Sequence, residues 1–113
     1  MVLTLRAGVG AGFAIGGQLH RGFTNSAGEW GHTCLVLDGR LCTCGNRGCV
    51  EAYVSTRGVA ETWREIMPGD SRAVGPDDAA TVAALARAAE EHDPVAVEVI
   101  DRTARWLPPS PTW

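Results

Sequence analysis

One histidine and three cysteines constrain this chain more than any other feature. His32, Cys42, Cys44 and Cys49 stand in the spacing H-x9-C-x-C-x4-C, and Glu51 follows two residues on. Zinc favours tetrahedral Cys and His sites, and four such ligands in one short segment fill the shell. A shell closed by protein leaves no open position, so the pattern predicts structural rather than catalytic zinc. Gly45 and Gly48 let the loop turn tightly enough for Cys44 and Cys49 to face one ion. The metal is then expected to order the loop and to set the start of a helix at Glu51. The competing reading is a group of unrelated buried or free thiols, because C-x-C-x4-C is less stereotyped than paired C-x2-C motifs. Cys34 rivals His32 as a ligand if the site is all-cysteine. Its neighbours Leu35, Val36 and Leu37 favour a buried structural thiol instead.

A chain of 113 residues is long enough for one small domain or a piece of a larger one. Its hydrophobic share of 45% and charged share of 20% are those of an ordinary globular protein. The net charge of −3 gives no electrostatic case for nucleic acid or an anionic membrane surface. No apolar run approaches the roughly 18 residues of a membrane span. The amino terminus also lacks the basic-then-apolar pattern of a signal peptide. A cytoplasmic location is the resulting expectation, and there cysteines stay reduced and free to bind metal.

The periodicity divides the chain into strands first and helices after, with no internal repeat. Val2 to Leu5 reads as a short strand. The segment Gly8-Val9-Gly10-Ala11-Gly12 follows. Two short runs around Gly16-Gly17 predict a hairpin, because a type I′ turn needs positive φ at both central positions. Residues 22–33 read as loop, and Leu35-Val36-Leu37 as a brief strand ending at Asp38-Gly39. From Glu51 onward Ala52, Ala60, Trp63 and Met67 fall near helical spacing, interrupted around Gly58 and stopped by Pro68-Gly69. Asp70 to Pro76 reads as a linker. Asp77-Asp78 can cap a helix with the stripe Val82, Leu85, Ala86 and Ala89. Asp93-Pro94 is a second start, with Ala96, Val99, Ile100, Thr103 and Leu107 as its buried face. Pro108, Pro109 and Pro111 end the pattern.

The block Ala27-Gly28-Glu29-Trp30-Gly31-His32, followed by Cys42 to Glu51, resembles the signature of the ROK family. That family groups sugar kinases of glucokinase type with sugar-responsive transcriptional repressors. The glycine segment and Leu19-His20-Arg21-Gly22 match as well, so the resemblance runs from about Leu3 to Val59, with compatible helices to about Leu107. It implies an α/β, actin-like ATPase (ribonuclease H-like) fold, of which this chain is the first part of the second lobe. Residues 1–37 would supply strands and the glycine segment, 38–50 the zinc loop, 51–107 the helices, and 108–113 a tail. The resemblance further implies that Glu29, His32 and Glu51 border a sugar pocket, with zinc on His32, Cys42, Cys44 and Cys49. Carboxylates accept hydrogen bonds from paired sugar hydroxyls, and a metal holds the segments that carry them in register. Without the family, Glu29 reads as a solvated loop acid and Glu51 as a first-turn helix acid favoured by the helix dipole.

The pattern also departs from that of the family's kinases. Their glycine segment reads Gly-Thr-Gly-x-Gly where this chain has Arg6-Ala7-Gly8-Val9-Gly10. Gly8, Gly10 and Gly12 can still offer amides to a phosphate, but a tight turn between strands explains them equally well. The Asp-x-Gly phosphate loop and the Asn-Asp catalytic base of the first lobe are not in this sequence, and phosphoryl transfer needs such positioning groups. Both ends therefore read as cut, and catalysis by this chain alone is not expected. The leading expectation is a piece of a sugar-responsive transcriptional regulator, favoured by Arg6-Ala7. A piece of an ATP-dependent sugar kinase is the alternative, with ATP as cofactor only in that case. A zinc-stabilised module without ligand is the third. Expected partners are a monosaccharide or sugar phosphate, and self-association through apolar helix faces. DNA is expected only through a winged helix outside these residues, and no membrane is expected.

Overall fold

The structure, a computed structural model, describes residues 2–5, 9–16, 18–20 and 30–107. Strands β1 (Val2–Leu5), β2 (Val9–Ile15) and β3 (Gln18–His20) form one antiparallel sheet in the order β1-β2-β3. β2 returns into β3 with Ile15 opposite Gln18, which leaves a two-residue connection, and Gly16 adopts the positive φ of 58° that such a turn needs. Gly10 and Gly12 lie inside β2, opposite Thr4 and Val2. Much of the glycine segment is thus strand. Gly8 and Glu29 lie outside the described residues.

The brief strand expected at Leu35-Val36-Leu37 is absent. After a 3₁₀ turn at Trp30–His32, Cys34 forms a single bridge with Cys49. The amides of Leu35 and Val36 both donate to the Gly48 carbonyl, at 2.7 and 3.2 Å. The Gly39 amide then donates to the Val36 carbonyl at 3.0 Å, around Asp38 at φ 55°. Two donors spent on one acceptor cannot extend a ladder. The run turns back on itself and leaves Leu37 85% exposed.

Two helices follow, α1 (Glu51–Val54) and α2 (Thr56–Ile66). The break falls at Ser55, not at Gly58. Ser55 is extended, and its hydroxyl accepts from the Gly58 amide at 3.2 Å, as a helix cap does. Gly58 is needed for another reason: a Cβ there would lie 2.4 Å from the Tyr53 carbonyl carbon. Met67 falls beyond α2 and is exposed.

The stretch expected to be a plain linker holds a 3₁₀ turn, Ser71–Ala73, which buries Ala73 and is capped by Asp70. Helix α3 (Asp78–Glu90) starts where Asp77 accepts from the Ala80 amide, and α4 (Pro94–Ala104) where Asp93 accepts from Val95 and Ala96. Both starts match their sequence signals. The faces differ in part: α3 buries Thr81, Leu85 and Ala88, whereas Ala86 is exposed, and Ile100 of α4 is exposed too.

Two apolar clusters result. One gathers Cys42, Cys49, Val50, Ala52, Tyr53 and Val54, with Trp30, Val36, Trp106 and Leu107 against it. The other gathers Trp63, Ala73, Leu85, Ala88, Ala96 and Val99 between α2, α3 and α4. Trp63 is fully buried, and its indole donates to Asp70 at 3.1 Å. Arg72 pairs with Asp70 and Asp93, both at 2.8 Å, and its guanidinium lies over the Trp63 ring. The cap of α4, the 3₁₀ turn and the core tryptophan are thereby tied together. Among the described residues no helix is long and apolar enough to cross a membrane.

Candidate metal centre

The metal loop is built around two glycines. Gly45 adopts φ 93° and its amide donates to the Cys42 carbonyl at 3.0 Å, folding Cys42 and Cys44 into one turn. Gly48 adopts φ 79°, and a Cβ there would come within 1.7 Å of the Val36 carbonyl oxygen. Only glycine allows the two arms of the loop to approach that closely. Cys49 then enters from the bridge with Cys34, directly before α1, and His32 from the end of the 3₁₀ turn.

These elements bring His32, Cys42, Cys44 and Cys49 together, with all four ligand atoms within 4.8 Å of one another. The Sγ atoms of Cys44 and Cys49 are 3.6 Å apart, and Cys42 Sγ is 3.7 Å from His32 Nδ1. Ligands about 2.3 Å from a tetrahedral ion lie roughly 3.8 Å from each other. The four residues are therefore close enough, and suitably spaced, to hold a metal ion. Cys42 and Cys49 are buried, while Cys44 and His32 reach the surface.

The electrostatics point the same way. The Asn46 backbone amide, helped by the neighbouring thiols, lowers the Cys44 pKa. Burial, followed by the proximity of Cys44 and Cys42, pushes the Cys49 thiol up to about 12. One thiolate forms readily and a second beside it is opposed. A divalent cation removes that opposition by taking the place of the protons, so the donor set fits a thiophilic ion.

Cys34 is not one of the four. It is exposed, not buried as its apolar neighbours suggest, and its thiol lies 3.8 Å from the Arg47 carbonyl. Its neighbours divide: Leu35 and Leu37 are exposed like Cys34, and only Val36 packs against the apolar cluster.

His32 has two partners. Its Nδ1 faces Cys42, and its Nε2 lies 3.8 Å from the Glu51 carboxylate. A ligand imidazole held through its second nitrogen by a carboxylate is a common way to fix ring orientation. Glu51 opens α1 with its side chain 15% exposed. It lines a small recess of about 20 Å³ with Cys42, Thr43, Ala52, Ser55 and Arg57.

Arg40 is the residue that sequence reasoning misses. Its guanidinium crosses from the metal loop to the helices and donates to the carbonyls of Ala52 and Gly58 and to the Thr62 hydroxyl, each at 3.1 Å. It also pairs with Glu65 at 2.9 Å and lies 4.6 Å from the centre of the Tyr53 ring. The Arg40 amide donates to the Tyr53 hydroxyl, and its carbonyl accepts from Gly48. Arg57 reaches back from α2 to the Leu41 carbonyl. An arginine in a polar loop has no periodicity to betray such a role.

The model of the ROK family matches residues 1–110. The chain is 36% identical over 112 residues to a glucokinase of Streptomyces coelicolor, covering 92% of this chain and 35% of that protein. It is 38% identical over 103 residues to an N-acetylmannosamine kinase of Citrobacter koseri, covering 91% and 32%. A solved ROK family glucokinase from Streptomyces griseus, in complex with glucose and AMPPNP, superposes with a TM-score of 0.79 at 35% identity, over 92% of this chain and 36% of that one. A ROK family transcriptional regulator, a homologue of the E. coli MLC protein, gives 0.74 at 30% identity, over 92% and 26%. The chain spans about a third of the length of the curated relatives it matches.

Proposed function

The chain belongs to the ROK family, and from that membership we propose that it forms a zinc-stabilised wall of a sugar pocket. In this reading residues 1–107 are the first part of the second lobe of an actin-like ATPase fold. His32, Cys42, Cys44 and Cys49 hold the zinc, which supplies no chemistry beyond fixing the loop. His32 binds through Nδ1 and turns its other nitrogen toward the sugar side, beside Glu51. Glu51 and Glu29 accept hydrogen bonds from adjacent sugar hydroxyls. The observation that carries the proposal is the 3.8 Å approach of His32 Nε2 to Glu51, with Nδ1 facing the cluster. It joins the metal loop to the carboxylate at the head of α1.

Two settings suit such a wall. The sugar kinase setting is supported by the glucokinase and N-acetylmannosamine kinase relatives, each matched over more than nine-tenths of this chain. A sugar-responsive transcriptional regulator is supported by the regulator's structural likeness and by Arg6-Ala7 in place of the kinase Gly-Thr. ATP belongs only to the first setting, and DNA only to the second, through a domain other than this one. In this reading the chain lies in the cytoplasm, where thiols stay reduced and able to bind metal.

Metal analysis and calorimetry test the reading together. The purified chain is expected to carry one zinc and to evolve heat with glucose or N-acetylmannosamine in the millimolar range. Glu51→Gln is expected to keep the zinc and lose the heat. A folded chain without metal, or unaltered sugar binding in Glu51→Gln, would refute it.

A further inference from the structure

We propose that Cys34 and Cys49 form a peroxide-driven disulfide that removes Cys49 from the metal centre and releases the ion. The backbone around the two residues carries the argument. The Leu35 amide donates to the Gly48 carbonyl at 2.7 Å, and the Val50 amide to the Thr33 carbonyl at 3.0 Å. These bonds flank the Cys34–Cys49 bridge on either side, which makes it a non-hydrogen-bonded antiparallel pair. In such a pair the Cα atoms lie about 4.5 Å apart with both Cβ atoms on the same face. Disulfides span Cα separations of roughly 4.4–6.8 Å, so the two sulfurs can join without moving the backbone.

Access divides the roles. Cys34 is exposed and stands outside the ligand set, so an oxidant meets it without first displacing metal. Its thiol lies 3.8 Å from the Arg47 carbonyl, a weak bond that a side-chain rotation gives up. Cys49 is buried and belongs to the proposed ligand set. Hydrogen peroxide converts the Cys34 thiol to a sulfenic acid, releasing one water as the O–O bond breaks. The Cys49 sulfur then attacks the Cys34 sulfur, the S–O bond breaks, and a second water leaves with the Cys49 proton or one from solvent. Sulfur is oxidised and peroxide reduced. Three ligands remain at the centre, and its shell is open.

The Cys44–Cys49 pair, at 3.6 Å, is the alternative crosslink. While the ion is bound, however, both of those sulfurs are engaged with it.

Metal release rests on the zinc reading above, whereas the disulfide itself does not. Zinc content is therefore measured first, so that an empty site is told apart from a failed switch. The chain is treated with equimolar hydrogen peroxide with and without zinc, alkylated, digested and mapped by mass spectrometry, while a chromogenic chelator reads free metal. The expected result in the zinc-loaded sample is a Cys34–Cys49 crosslinked peptide, zinc lost as it forms, and recovery of zinc binding after dithiothreitol, whereas the zinc-free sample also admits the Cys44–Cys49 crosslink. Cys34→Ser, an exposed substitution, should keep its zinc over the same interval. Alkylated Cys34 after the metal has left would overturn the proposal. So would a Cys44–Cys49 crosslink in its place in the zinc-loaded sample, or wild-type zinc loss from Cys34→Ser.

Discussion

Arg40→Ala should undock the metal loop from the helices. The arginine is only 14% exposed and donates to the carbonyls of Ala52 and Gly58. Hydrogen bonds from a charged donor contribute about 1.5 kcal/mol or more each, and removing the donor leaves those acceptors without that partner. The two together give about 3 kcal/mol. The Tyr53 stacking adds roughly 0.5–1 kcal/mol. Thr62 loses little, because its hydroxyl also donates to the Gly58 carbonyl at 3.0 Å. Glu65 is 56% exposed, and an ion pair that open to water adds almost nothing. A loss of about 3–4 kcal/mol lowers Tm by roughly 12 °C or more in a domain of this size. The assay is thermal unfolding of the zinc-saturated chain by circular dichroism. Arg40→Lys keeps the charge but not the fork and should fall between the two. If Arg40→Ala melts within about 2 °C of wild type, against the 4–8 °C expected per kcal/mol, the docking argument is wrong.

Three further outcomes follow from the same geometry. Gly48→Ala should cost well over the roughly 1–3 kcal/mol of a disfavoured φ, because its Cβ would strike the Val36 carbonyl, whereas Gly45→Ala, with open space around it, should cost no more than that range; urea titration compares the two. Arg72 holds the Asp70 carboxyl down to about 2, below its ordinary 3.8, and lowers Asp93 as well. A depressed pKa stabilises the fold above the unfolded value and is lost as pH falls through the folded one, so melting temperature should drop between about pH 4 and 2, less steeply in Asp70→Asn. Cys44→Ser should abolish stoichiometric zinc, read by elemental analysis, and raise amide hydrogen exchange in residues 30–58 while leaving α3 and α4 protected.

The sequence was most legible where chemistry is local. Asp77, Asp93 and Pro94 announce their helix starts because a cap needs only its own neighbours. The four residues close enough to hold a metal were legible for a similar reason, as all lie within one short segment, His32 to Cys49. Reading failed where a distant group decides. Gly58 looks like a helix breaker, yet the break is at Ser55, because what matters at Gly58 is the Tyr53 backbone passing beside it. Leu35-Val36-Leu37 has strand composition, but the Gly48 carbonyl captures two of its amides. Arg40 gave no signal at all, since its side-chain partners lie 12 to 25 residues away.

The division of the interior into two clusters gives the molecule its own optical probes. Trp30 and Trp106 lie against the metal-loop cluster, and the Trp106 ring lies tilted at 42° against Tyr53 with ring centres 4.8 Å apart. Trp63 lies at the centre of the helical cluster. On the zinc reading, withdrawal of the ion should reach Trp106, just beyond α4, through Tyr53, while the indole buried among α2, α3 and α4 should keep its surroundings. Loss of metal and loss of fold are written in different tryptophans. A chelator should dim one set before urea disturbs the other, so that the chain reports which half of it has let go.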